Sequence, residues 1–368
     1  MTHTKLTPLA ATLPSTVPFV GPETMERQKG RPFKARLGAN ESLFGPSPKA
    51  ISAMAEAASD IWMYGDPENH DLRQALAQHH QTRPENIVVG EGIDGLLGYL
   101  VRLLIGPGDA VVTSNGAYPT FNFHVAGFGG TLHKAPFNAD HEDPNALLSL
   151  ARQSRAKLIY LSNPNNPMGS HHPAETVETM ISALPDDCLL ILDEAYIDLA
   201  PPGTEPKISP DDPRIIRMRT FSKGYGLAGL RVGYALGAAP LISAFNKVRN
   251  HFGMGRVAQA GAMAAIADQD HLKWVQGQVI AARISFGQVA QENGLHALPS
   301  ATNFLTIDCG SDGDFARRVL AELLARDIFV RMPGVAPLDR CIRVSLGGAA
   351  ELARFAEALP AALKAARA

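Results

Sequence analysis

Four short apolar runs, each cut off by turn residues, set the tightest limit on what this chain can fold into. They are Asn86 to Val89, Ala110 to Thr113, Lys157 to Ser162 and Leu189 to Asp193. Each is too short for a buried helix and mostly apolar, as a strand covered on both faces must be. Helix formers fill the intervals, as in Pro48 to Ala58, Asp71 to His80 and Gly95 to Leu104. Strands that alternate with helices in this way predict an α/β fold with a parallel, doubly wound sheet. Upstream, residues 1–37 carry Pro8, Pro14 and Pro18 and read as an irregular arm. The pattern shifts near residue 245. Helical composition runs from Phe245 to Gln291, followed by a strand (Phe304 to Ile307) and a helix (Asp314 to Arg326). A strand pair around Phe329 and Ile342 comes next, then a helical stretch from Ala349 to Ala366 with a kink or break expected at Pro360. The expected division is therefore an arm (1–37), a large domain (38–245) and a smaller α+β domain (246–368).

Composition removes several classes of function. The 368 residues suffice for two domains, and 45% hydrophobic with 19% charged residues excludes a disordered chain. A formal net charge of −2 leaves no basic field for nucleic acid or an anionic membrane, so any phosphate site must be local. No apolar stretch is long enough to span a bilayer, and the first twenty residues lack the apolar core of a signal peptide. Cys188, Cys309 and Cys341 lie far apart, without disulfide or metal spacing, which suits a reducing compartment. A cytoplasmic protein is expected.

Gly90, Gly92 and Gly95 form a G-x-G-x-x-G after a strand and before a helix, the outline of a dinucleotide fingerprint. The acid that should close the next strand is missing, because Asp109 precedes the strand at Ala110. Nucleotide binding is therefore disfavoured, while free amides at a helix start still suit some phosphate. The adjacent pairs His79-His80 and His171-His172 have no acidic or cysteine partner at ligand spacing, so exposed histidines are expected and no metal site. A nucleophile elbow of the G-x-S-x-G kind is absent, which disposes of a serine hydrolase.

Three further segments stand at predicted strand ends, where ligand crevices of parallel sheets form. They are Ser162-Asn163-Pro164-Asn165-Asn166-Pro167, Asp193-Glu194-Ala195-Tyr196, and Thr220-Phe221-Ser222-Lys223 with Arg231 eight residues on. Singly each is ambiguous. In this order and spacing they resemble the fold-type I pyridoxal-phosphate aminotransferases, above all the histidinol-phosphate branch of class I/II. The resemblance runs from Gly38-Ala39-Asn40-Glu41 to Ile342-Arg343-Val344. It implies a large domain with a mainly parallel seven-stranded sheet between helices, a smaller α+β domain, and pyridoxal 5'-phosphate as cofactor. It implies that Lys223 forms the Schiff base and moves the proton. Asp193 would keep the ring nitrogen protonated, while Tyr196 and Asn166 would bond the ring's phenolic oxygen and Tyr118 would stack on the ring. The cofactor phosphate would fall to the amides of Ile93 and Asp94, to Thr220 and Ser222, and to Arg231.

The same resemblance makes Arg343 the grip on the substrate α-carboxylate and Asn40 the residue that closes over it. Arg331 is a candidate for a second anionic group, with a surface salt bridge as the alternative. Tyr64 would enter the neighbouring subunit's phosphate site, giving a homodimer with composite sites. The implied reaction is ping-pong transfer of an amino group between an L-amino acid or histidinol phosphate and a 2-oxo acid. A lyase similar to the threonine-phosphate decarboxylases, and an aromatic aminotransferase, are the alternatives on the same motifs. Three departures stand out: Ser42-Leu43 where the family has Asn-Pro, Met168 where it has threonine, and Phe252-Gly253-Met254-Gly255 before Ala258. They are expected where the substrate side chain and the N-terminal segment meet.

Overall fold

The computed structural model describes residues 5–15 and 20–368; positions 1–4 and 16–19 of the arm, Pro18 among them, lie outside the described residues. Seven strands make the central sheet: β1 (Ile87–Gly90), β2 (Ala110–Ser114), β3 (Thr131–Ala135), β4 (Leu158–Ser162), β5 (Leu189–Asp193), β6 (Ile215–Thr220) and β7 (Gly233–Gly237). Their order is β1-β7-β6-β5-β4-β2-β3, all parallel except β7. The α/β sheet expected from the apolar runs is present.

Strand side chains alternate between faces, and the core residues sort accordingly. On one face Leu158 and Tyr160 of β4 pack with Val111, Ile191 and Ile216 under the helices Gly92–Leu104 and Thr120–Gly127. On the other face Ile159 and Leu161 pack with Val112, Leu190 and Leu192 under Pro144–Ser154 and Ala174–Ser182. Asp143 starts the helix Pro144–Ser154 by accepting the amides of Asn145 at 2.9 Å and Ala146 at 3.2 Å, which satisfies donors that no helix can satisfy itself. A three-stranded antiparallel sheet follows, ordered His296–Ala297, Phe304–Asp308, Cys341–Ser345. Its core joins Val275, Phe286, Val319, Ile342, Phe355 and Leu359, with the rings of Phe286 and Phe355 stacked at 5.6 Å.

Several expectations are corrected. The arm contains two short helices, Pro8–Thr12 and Pro22–Lys29, each with proline in its first turn, and Gly30 ends the second in the left-handed region (φ 71°). Neither is long enough to show a period in the sequence. Ala35–Arg36 then pairs in parallel with Ile328–Phe329, and Ala35 and Leu37 are buried in the small-sheet core. Phe329 and Ile342 thus belong to different sheets, joined by the Arg331–Arg343 bridge. The packing also divides later than residue 245. Arg256–Ala267 buries Ala262 and Ile266 against Ala50, Leu72, Val89 and Tyr234, beside the β1–β7 edge. The helix Gln269–Glu292 crosses over, with Leu272 in that cluster and Val275 in the small-sheet core. Pro360 does not end its helix, which runs from Ala349 to Arg367; the proline is on the exposed side, and buried Phe355, Leu359 and Leu363 hold the helix through it.

Phe355→Ala removes a fully buried ring from the small-sheet core. It is expected to lower stability by about 3–5 kcal/mol, read from the urea midpoint at unchanged slope.

Candidate active site

The carboxyl ends of β1, β2, β4, β5 and β6 point to one cleft, closed by residues 38–41 and by Arg343 of the last small-sheet strand. At its centre Lys223 Nζ donates to the Asn40 carbonyl at 2.9 Å and lies 5.6 Å from the centroid of the Tyr196 ring. Burial, reinforced by the Arg343 charge, lowers the lysine from 10.5 to about 8. An amine so poised gives up its proton near neutral pH. Asn40 sits in the left-handed region (φ 57°) and is tied on every side. Its amide donates to Ser345 Oγ at 3.0 Å, its Nδ2 to the Tyr196 hydroxyl at 3.1 Å, and its carbonyl also accepts Asn303 Nδ2 at 3.1 Å.

Asp193, the last residue of β5, is 5% exposed. Its Oδ2 accepts the Tyr160 hydroxyl at 2.5 Å and its Oδ1 the Ala195 amide at 2.9 Å. Burial still pushes the carboxyl up from 3.8 to about 6, against the pull of those donors and of Lys223. Arg343 is held by two neutral acceptors. Its Nη1 donates to Asn166 Oδ1 at 2.5 Å and its Nη2 to the Gly38 carbonyl at 3.2 Å, while its buried Nε has no partner. The Arg331 amide donates to the Arg343 carbonyl at 3.2 Å across an isolated antiparallel bridge, and the Arg331 charge lies near enough to disfavour that of Arg343. Arg331 Nη2 reaches the Val20 carbonyl at 2.6 Å, and among the described residues neither arginine has a carboxylate partner. The surface salt bridge considered for Arg331 is not formed there.

At the far end of the cleft Ile93 and Asp94 occupy the first turn of Gly92–Leu104, where helix amides lack intrahelical acceptors. The Asp94 carboxylate turns away to His124 Nε2 at 2.9 Å. Thr220 Oγ1 donates to Ser222 Oγ at 2.9 Å, and Arg231 Nη1 lies 3.5 Å from the same oxygen. Gly92 (φ 76°) permits this close fit, since a Cβ there would stand 2.5 Å from Arg231 Nη2. Amides, hydroxyls and a guanidinium converging on one helix start are the donor set for a phosphate. Tyr118 is half-buried within range of Asp94, Asp193 and Arg231, and burial raises its hydroxyl.

The profile of the aminotransferase class I and II family matches residues 34–359. The chain belongs to that family. It is 32% identical to histidinol-phosphate aminotransferase 2 of Carboxydothermus hydrogenoformans over 354 residues, covering 95% of this chain and 96% of the relative. Among solved structures it is similar to the histidinol-phosphate aminotransferase of Sinorhizobium meliloti in complex with pyridoxal-5'-phosphate. That likeness has 52% identity, a TM-score of 0.95 and 98% coverage of both chains. Thermus thermophilus aspartate aminotransferase with maleate shares the fold at 22% identity and a TM-score of 0.77, over 92% of this chain and 94% of that one.

In this aminotransferase the residues expected from the sequence gather in the cleft with one exception. Tyr64 is 78% exposed and its ring lies tilted against Phe252, with centroids 4.9 Å apart, outside the hydrogen-bonded group. Met168 is fully buried with Leu298, Leu338 and Cys341. Leu43 likewise packs on the small-sheet core, and Gly253 is held to glycine by Glu91, whose carboxylate occupies the place of a Cβ. His79 is exposed as expected, while its neighbour and the second pair are half-buried: His80 Nε2 meets the Tyr234 hydroxyl at 2.9 Å, and His172 Nε2 meets the Glu142 carbonyl at 2.8 Å. Tyr160, Asn303 and Ser345 were not foreseen. For Tyr160 the signal is period two: two residues before the end of β4, it faces the same side as Asp193 at the end of β5.

A raised Asp193 pKa means that the folded, cofactor-free chain disfavours the ionised carboxylate. Its stability therefore falls as pH rises through 3.8 to about 6 and stays lower above. Asp193→Asn is expected to stabilise the cofactor-free chain by about 1–3 kcal/mol at pH 8, with the gain shrinking as pH falls toward about 4. Urea unfolding at a series of pH values reads this directly.

Proposed function

We propose that this aminotransferase moves the amino group of L-histidinol phosphate to 2-oxoglutarate, with pyridoxal 5'-phosphate as its cofactor. The observation that carries the reading is the meeting of Lys223 and Asp193 in one cleft with Arg343 and Arg331, neither of which has a carboxylate partner among the described residues. A 52% identity to a histidinol-phosphate aminotransferase over nearly the whole chain supports the same substrate. The relatives reported are aminotransferases, which favours transfer over the lyase alternative. A second guanidinium favours a substrate with its own anionic group over an aromatic amino acid.

The residues fit the cofactor. The start of Gly92–Leu104, Thr220, Ser222 and Arg231 would hold its phosphate, where Gly92 leaves the guanidinium room. Asp193 would face its ring nitrogen, Tyr118 its ring, and Tyr196 with Asn166 its phenolic oxygen. When bound, the cofactor supplies an electron sink for the bonds at the substrate α-carbon. Lys223 would hold the cofactor, and its free amine would take a proton from the substrate α-carbon and return it. Its lowered pKa keeps a usable share of free amine at neutral pH. Arg343 and Arg331 orient the substrate through its phosphate, or through the carboxylates of glutamate in the second half of the cycle. Asn40 holds Lys223 and Tyr196 in place from above.

The active unit is a homodimer. Ile61, Trp62, Tyr64 and Phe252 are exposed apolar side chains, which suits a face covered by a second copy. Tyr64 would then complete the partner's phosphate site. A cytoplasmic location fits three buried, unpaired cysteines, and among the described residues no helix is long and apolar enough to cross a membrane.

Titrating the cofactor-loaded protein with L-histidinol phosphate, without any oxo acid, is expected to bleach the long-wavelength band of the Lys223-bound cofactor. A band that persists removes this substrate. Lys223→Ala should keep the fold and lose about 10³-fold or more in turnover. Mixing Lys223→Ala with Tyr64→Ala chains, each impaired alone, is expected to restore about a quarter of the wild-type rate. Random pairing makes half the dimers mixed, each with one intact site. No recovery would mean that Tyr64 serves no neighbouring site.

A further inference from the structure

We propose that Tyr160 is a positioning residue for the proposed transamination, holding Asp193 ionised and oriented through its hydroxyl. The inference rests on the cofactor reading above and extends it to a residue that touches neither cofactor nor substrate.

Tyr160 lies on β4 with no exposed surface, and its hydroxyl donates to Asp193 Oδ2 at 2.5 Å. The two side chains are diagonal neighbours on one face of a parallel pair, since Tyr160 is registered with Ile191 and Ser162 with Asp193. The tyrosine ring is stacked on fully buried Phe121, with centroids 4.8 Å apart and planes 16° apart. The ring therefore has a packing partner of its own, and the hydroxyl is carried to the carboxylate by a rigid strand. The Ala195 amide fixes the other oxygen, so the plane of the carboxylate is set from two sides.

Direction matters here. A phenol buried in this way stays protonated, because burial and the adjacent Asp193 both raise its pKa. It can only donate toward the carboxylate. A ring nitrogen and a carboxylate that face each other share one proton, and a donor to the carboxylate stabilises the form in which the proton is on nitrogen. Without the hydroxyl, burial of Asp193 is opposed by one donor fewer, so the shared proton would move toward the carboxylate and the ring would lose charge. A neutral ring is a weaker electron sink and leaves the nitrogen of the Lys223 linkage more basic. Lys223 adds an attraction that favours the ionised carboxylate, and Glu194 opposes it. Glu194 is itself bound by Arg217 Nε and Arg219 Nε, each at 2.9 Å. These groups are untouched by a change at position 160.

The test is Tyr160→Phe in the cofactor-loaded protein, a change that keeps the ring stack. The pH midpoint of the long-wavelength band is expected to rise by about one unit, and kcat to fall about ten- to a hundredfold with KM within about twofold. Phe121→Leu, which loosens the stack and spares the hydroxyl, should keep the wild-type midpoint. A Tyr160→Phe midpoint equal to wild type overturns the proposal, whatever happens to stability. So does a midpoint moved equally by Phe121→Leu, which would make the role one of packing. A wild-type protein that forms no such band after cofactor loading instead overturns the cofactor reading on which the proposal stands.

Discussion

Taking charged groups out of water is the constraint around which this molecule is arranged. Asp193, Lys223 and Arg343 meet in a cleft that pushes each toward its neutral form, the carboxyl up and the two cations down. None of the three is closed off in a tight ion pair with another. Each is held by neutral groups instead: a phenol and an amide at Asp193, a carbonyl at Lys223, an asparagine and a carbonyl at Arg343. Such partners fix direction without neutralising charge, so the charge is left available to a bound molecule. The parallel sheet makes this affordable, because both its faces bury apolar clusters while Asp193 and Lys223 stand at the carboxyl ends of its strands.

Elsewhere the opposite solution is used. Glu194, adjacent in sequence to Asp193, accepts from both Arg217 and Arg219, and Glu205 takes the remaining reach of the same arginines. Among the described residues Glu142 has no cation partner. It is satisfied by Ser114 Oγ at 2.6 Å, Asn165 Nδ2 at 2.7 Å and the amide and hydroxyl of Ser162. Asn165 Oδ1 then accepts the Met168 amide at 2.9 Å, which braces the turn that presents Asn166.

How much of this can be read from the sequence depends on the range of the contact. Lys223, Asp193 and Asn166 stand in short motifs at strand ends, and β5 shows as an uninterrupted apolar run with the bounds found in the fold. Strand β6 hides because Arg217 and Arg219 break its apolar run, and their buried counter-charges lie on other segments. Tyr160 hides for a different reason: inside a run apolar on both faces, nothing local says which face looks toward Asp193. Asn303 and Ser345 act on Asn40 from 263 and 305 positions away, a range at which sequence pattern carries no signal.

That last separation shapes the order in which the molecule can be completed. Residues 33–40 are threaded into the small domain: Ala35–Arg36 beside Ile328–Phe329, the Leu37 carbonyl taking the Ser345 amide, Asn40 on the Ser345 hydroxyl. A nascent chain can build the large sheet soon after β7 leaves the ribosome, since all seven strands are then available. Lys223 nevertheless has no settled Asn40 beside it until the last small-sheet strand has been made. Contacts between the two ends of a chain close late, after the local ones. The assembled cleft therefore waits for nearly the whole polypeptide, and a chain truncated before Cys341–Ser345 would carry the sheet, the lysine and Asn40 without the strand that fixes Asn40.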